Sequence, residues 1–246
     1  MKKMIAICIA TLLLLSGTAF ADTLTMGTNA EFPPFEFIGD DGEPTGFDVE
    51  LMQLIAEEIG KELVIENMYF DGLIAALTMG DIECIMSAMT IKEERKESVN
   101  FSTPYFSATQ AVIVIKGYDG IQTLDDMTDK KGAVQDGTTG HFMVADDFGC
   151  DPANIAAFKA APDTVLELIN GRVDCIVIDN AVAENFLTMF DNLEIVQGLE
   201  MPLEEYGIAI AKENDELLAQ VNAALAKLVE EGKYDALIQK YFTAAE

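Results

Sequence analysis

"GLIAALTMGDIECIM", residues 72–86, carries the pattern from which the rest of the chain is read. Gly72 to Met79 has the apolar density of a helix. It stops at Gly80, the residue type that closes helices. Ile82 to Met86 then reads as a buried strand. A near copy, "TVLELINGRVDCIVI", occupies residues 164–178, with Gly80-Asp81-Ile82-Glu83-Cys84-Ile85 matched by Gly171-Arg172-Val173-Asp174-Cys175-Ile176, 91 residues on. A helix that feeds a strand through glycine, twice at constant spacing, predicts two units with the same local architecture.

The same rhythm extends outward. Leu24 to Met26 reads as a strand. Gly46 to Gly60 has helical apolar spacing at Val49, Leu51, Met52, Ile55 and Ile59, and Glu62 to Met68 is a second strand. This βαβα alternation predicts an α/β fold with largely parallel strands. Gln110 to Lys116 and Tyr206 to Ala211 are β-rich, apolar and set apart, and they bracket the second unit. The expected division is a first lobe of residues 22–109 plus 205–246 and a second lobe of 110–204. Two strands join them, and helices at Asp215 to Glu231 and Tyr234 to Tyr241 return to the first lobe. Ligands favour the cleft that such a hinge creates.

Residues 1–21 read as a secretory signal. Lys2 and Lys3 precede an apolar run from Met4 to Leu15, and Ala19-Phe20-Ala21 forms the cleavage site before Asp22. The run is short against the roughly 20 residues of a membrane span. The formal net charge is −28, and two units more negative without Lys2 and Lys3. Nucleic acid and anionic membrane surfaces are poor partners for such a field. Cys84, Cys150 and Cys175 remain after cleavage, so at least one thiol is free. Cys84 and Cys175 sit in strand-like runs and read as core, and a bond between Cys150 and Cys175 is left open. With one histidine, His141, and no CxxC, the sequence implies no structural zinc site, no other metal and no cofactor.

Parallel α/β sheets bind ligands beyond the carboxyl ends of their strands. The segments there are Thr28 to Phe37, Tyr69 to Gly72, Ser87 to Thr90 with Arg95 just beyond, Gln135 to Gly140, and Asp179-Asn180. They offer a guanidinium, a carboxylate from the opposite lobe, hydroxyls and aromatic faces. A zwitterionic amino acid needs such a set, because arginine grips a carboxylate with two parallel bonds and a carboxylate takes an ammonium. Thr138-Thr139-Gly140 lacks the GxxxxGK[ST] pattern of a nucleotide cradle.

The stretches "GTNAEFPPFEF", "GFDVELMQLIAEEIG", "FDGLIAAL", "MSAMTIKEERKESVNFSTPYF", "VQDGTTG", "GRVDCIVIDN" and "YGIAIAKENDELLAQVNAALAKLVEEGKYDALIQKYF" follow one another over the whole of residues 22–246. In this order they resemble the family-3 periplasmic solute-binding proteins, the polar amino-acid receptors of ABC importers. The resemblance implies a two-lobed type II periplasmic-binding fold: two mixed, mostly parallel sheets joined by two hinge strands. It also implies a monomeric, extracytoplasmic protein that binds a free L-amino acid and docks on ABC permease subunits.

By the same resemblance Arg95 matches the carboxylate-binding arginine, and Asp179 the second-lobe aspartate that takes the ammonium. Thr90 matches a ligand-contacting hydroxyl. Ser87 and Ala88 match the loop whose backbone helps hold the ammonium, and Met89 beside them is a further expected ligand contact. Phe32 and Phe70 match the aromatic walls, while Phe35 and Phe37 read as core. Thr138 and Thr139 lie at a helix N-terminus that reaches the carboxylate, and Asn29, Glu31 and Gln135 fall where members differ by ligand. Glu31 faces either solvent or ligand. The acidic field and Glu31 favour a neutral polar or cationic ligand. Ala88 stands where members commonly have glycine, a change tolerated if the backbone there avoids positive φ. A dehydratase-like exported enzyme on the same fold, of the prephenate or arogenate type, is the alternative reading, with Glu31 or Asp179 as acid or base.

Overall fold

A computed structural model describes residues 22–243. The signal segment and its cleavage point after Ala21 lie outside the described residues. Each of two lobes is built on a mixed sheet. In the first, strand Asp22–Thr28 lies between Lys61–Asn67 and Cys84–Ile85, parallel to both, and Ala209–Ala211 and Val99–Phe101 follow. In the second, Gly132–Gln135 lies between Ile155–Phe158 and Cys175–Asp179, again parallel to both. Phe106–Ile115 and Leu193–Ile195 complete that sheet antiparallel.

The repeated passage is reproduced bond for bond. Gly80 and Gly171 both adopt the left-handed conformation, at φ 81° and 68°, which glycine reaches without a Cβ clash. Gly80 N–H donates to Leu77 O and Asp81 N–H to Ala76 O. Gly171 N–H donates to Leu168 O and Arg172 N–H to Glu167 O. This paired closure satisfies carbonyls that the helix end would leave open. Glu83 then accepts from Thr25 N–H, and Asp174 from Lys131 N–H, each at 2.9 Å. Both acids thereby clamp their strand to the neighbouring one.

Helix Phe47–Glu58 buries Phe47, Val49, Leu51, Met52 and Ile55. Helices Asp215–Glu230 and Lys233–Phe242 pack against it, so the chain's last elements return to the first lobe. The crossing between lobes differs from expectation. Phe106–Thr109 pairs with Leu203–Tyr206, whereas Gln110 to Ile115 is interior to the second sheet and Ala209–Ala211 is interior to the first. The less apolar start of the long strand, Phe-Ser-Ala-Thr, makes the crossing, and its more apolar remainder is buried. Cys84, Cys150 and Cys175 are all buried free thiols. Cys150 Sγ lies 3.0 Å from Met127 O, not bonded to Cys175.

Candidate ligand-binding cleft

The carboxyl ends of the parallel strands converge on a tight cavity between the lobes, with room for about 10 Å³ of solvent. Phe32, Phe70, Ser87, Arg95, Gln135 and Asp179 are among its walls, with Asn29, Ala88, Thr90, Thr138 and Thr139 between them.

Arg95 comes from the short helix Glu93–Lys96 and is only 8% exposed. It donates to Thr90 O at 2.8 Å on its own lobe and to Gly137 O at 3.1 Å on the other. Its guanidinium carbon lies 5.4 Å from the centre of the Phe70 ring. It forms no salt bridge with any described residue; Glu93 pairs with Lys96 instead. Burial lowers its pKa to about 10, against the raising influence of Asp179 and Glu204. A guanidinium held in a dry site by carbonyls, with no carboxylate partner, can take an anion.

Asp179 ends strand Cys175–Asp179 and is 5% exposed. It stands at the N-cap of helix Asn180–Met189, yet its side chain makes no capping bond. Instead it accepts from Gln110 Nε2 at 2.5 Å and from the Tyr206 hydroxyl. Burial, with Glu204 nearby, raises its pKa to about 7. No lysine, arginine or histidine among the described residues pairs with it in a salt bridge. A cation arriving in the cleft would restore it to the ionised form.

Other contacts close the cleft. Gln135 Nε2 donates to Asn29 Oδ1 at 2.7 Å, and Thr139 to Thr90 at 3.0 Å. Lys159 spans Asp71 of one lobe and Asp136 of the other at 2.5 and 2.9 Å. Thr138, not Thr139, caps the four-residue helix Thr139–Phe142 by accepting from His141 N–H.

Two expected residues are not on the cavity wall. Met89 is 1% exposed and packs in the core with Leu73, Leu77 and Ile85, because the tight loop turns alternate side chains away from the cleft. Glu31 is partly buried and lies near Asp163 on helix Ala161–Ile169, which together with burial raises its pKa. Antiparallel pairing of Glu31 with Phe37 sets that orientation. Ala88 departs in another way. Its φ is 45°, so the condition under which its methyl costs nothing is not met, and the strain is held by a 2.7 Å bond from its N–H to Asp48.

One wall residue was missed. Glu36 is 1% exposed, lines the cavity, and accepts from Ser87 Oγ at 2.8 Å. Burial raises its pKa well above the usual range, aided by Asp48. The signal for it was a glutamate between Phe35 and Phe37 at a strand's carboxyl side.

The model for "Bacterial extracellular solute-binding proteins, family 3" matches residues 24–244. A "Probable histidine-binding protein" of Neisseria gonorrhoeae is 37% identical over 88% of this chain and 82% of its own length. A variant of ArgBP from T. maritima is 43% identical over 90% of this chain and 96% of that one, with a TM-score of 0.85. An ancestral arginine-binding protein bound to arginine is 41% identical over 91% of this chain and 100% of that one, with a TM-score of 0.84. These relatives are binding proteins, not enzymes.

Proposed function

Because the chain belongs to the family-3 bacterial extracellular solute-binding proteins, we propose that it captures a free L-amino acid with a cationic side chain and delivers it to the membrane permease of an ABC importer. The lobes divide at 109/110 and 204/205. The protein acts as an extracytoplasmic monomer, exported by a signal cut after Ala21. Arg95 takes the α-carboxylate, and Asp179 takes the α-ammonium, with Ser87, Ala88 and Thr90 beside them. Phe32 and Phe70 flank the side chain.

The observation that carries this reading is a mismatch of charge inside the cavity. Arg95 and Asp179 come from opposite lobes, and neither has an ionic partner of its own. Glu36 adds a second carboxylate to the wall. One guanidinium and two carboxylates complement a ligand with one carboxylate and two cationic groups. Ligand in the cleft then favours the closed arrangement over the open one.

A thermal-shift screen of the natural amino acids tests the reading. A tight ligand at a thousandfold excess over Kd adds about 4 kcal/mol of stability. Arginine, lysine and histidine should lead, and a flat screen overturns the proposal. Arg95→Ala should weaken binding roughly 100-fold or more, from the loss of charge-assisted bonds at about 1.5–3 kcal/mol each. Near-native affinity by calorimetry would remove Arg95 from its role.

A further inference from the structure

Behind the cavity wall, Glu36 meets Asp48 of helix Phe47–Glu58 carboxyl to carboxyl. Asp48 is fully buried and does not line the cavity. Its Oδ2 accepts two bonds at 2.7 Å, from Ala88 N–H and from the Tyr105 hydroxyl. Glu36 Oε1 accepts one, from Ser87 Oγ. The remaining oxygens, Glu36 Oε2 and Asp48 Oδ1, are buried and have no donor. Two ionised carboxylates are acceptors only, so a proton between them satisfies both orphan oxygens at once.

We propose that Glu36 and Asp48 share one proton in the ligand-free protein and that a cationic ligand side chain expels it. The charge of the cargo and the protonation of this pair are thereby linked. The inference rests on the cationic-ligand reading above and adds Asp48 to it as a positioning residue, one that acts only through Glu36.

The donor count places the proton. Two donors on Asp48 favour its anion, while Glu36 has one, so the proton resides on Glu36 and points at Asp48. The other groups facing the pair are the Ser87 hydroxyl, the phenols of Tyr105, Tyr206 and Tyr234, and the carboxyl of Asp179. No cation is among them. Burial raises the pKa of Asp48 to about 6 and that of Glu36 well above its ordinary value. A cation beside Glu36 supplies the missing charge. Moving the proton to Asp48 is opposed by its two donors, so the O–H bond of Glu36 breaks and the proton passes to water. An uncharged amide side chain leaves that bond intact.

Calorimetry in buffers of different ionisation enthalpy, at about pH 7, where Asp48 is ionised and Glu36 is not, counts the protons exchanged. The α-ammonium common to both ligands displaces the proton of Asp179, so arginine should release about one proton more per molecule bound than glutamine. Arginine affinity should rise more steeply with pH than glutamine affinity, by up to a further tenfold per pH unit below the titration of the pair. No release with arginine, or equal release with both ligands, overturns the proposal. Asp48→Asn keeps an acceptor for Ala88 and Tyr105 and offers an amide N–H to Glu36; it should bind arginine with no more proton release than glutamine. If that variant fails to fold, Glu36→Gln serves, losing the extra proton and the preference for arginine over glutamine together. A protein that binds no cationic amino acid overturns the functional reading and this one with it. One that binds arginine with no more proton release than glutamine overturns this one alone.

Discussion

In the first lobe, strand Cys84–Ile85 stops after two residues, and the chain turns through Ser87-Ala88-Met89-Thr90. In the second, the matching strand continues to Asp179 and enters helix Asn180–Met189 without a loop. Up to that point the lobes agree closely. Each has a glycine closure, an acid clamping its strand and a cysteine beside the clamped carbonyl. Asn29 and Gln135, each four residues past the clamped residues Thr25 and Lys131, meet each other across the cleft. The scaffold is shared, and the chemistry diverges only in the last few residues of each strand. One lobe presents a loop and hydroxyls; the other presents a carboxylate.

The largest way to break this comparison is through pH. Asp179 and Asp48 have folded pKa values of about 7 and about 6, both raised first of all by burial from 3.8. An acid raised on folding contributes stability below its unfolded pKa and loses it as pH climbs through the folded value. The ligand-free protein should therefore weaken between about pH 4 and 7, by on the order of 4 kcal/mol for the larger shift. Urea unfolding across that range measures it. Asp179→Asn should flatten the curve between about pH 6 and 7 and roughly halve its slope below that, leaving the part that Asp48 sets in the first lobe.

A smaller effect separates the two ends of the cleft. A Cβ on Gly140 would lie 2.8 Å from Gln110 Oε1 and 2.9 Å from Val177 O. Gly140→Ala should thus displace the donor that orients Asp179, costing about 1–3 kcal/mol of stability. Thermal unfolding reports the cost, and unchanged ligand affinity would show that Asp179 does not depend on Gln110. The smallest effect sharpens the contrast from the first lobe. Ala88→Gly relieves the left-handed strain and should raise stability by about 0.5–1 kcal/mol in the same assay.

The alternation of helices and strands was legible because apolar spacing alone dictates it, and the copy at Gly171 exposed the second lobe. Arg95 was legible as a rare guanidinium among lysines and inside a family motif. Glu36 was not, because its meaning depends on Ser87 and Asp48, which only folding brings to it. Met89 was misplaced for the opposite reason: neighbours in a tight loop do not share a face. The crossing between lobes was displaced by a few residues because Phe106–Ile115 is one strand that serves two tasks, and composition marks only its buried part.

The three unpaired cysteines of the described residues have a consequence for chemistry in an oxidising surrounding. Thiol–disulfide exchange begins with a thiolate. Burial raises the pKa of Cys84 and Cys175 far above the ordinary thiol range, with further contributions from Glu83 and Asp174, and burial also raises Cys150. Oxidants and mixed disulfides therefore find almost no nucleophile while the chain is folded. The same carboxylates that clamp Thr25 and Lys131 into their sheets also keep the adjacent sulfurs protonated. Tight packing serves here as redox insulation, and the fold has no need of a disulfide to survive an oxidising surrounding.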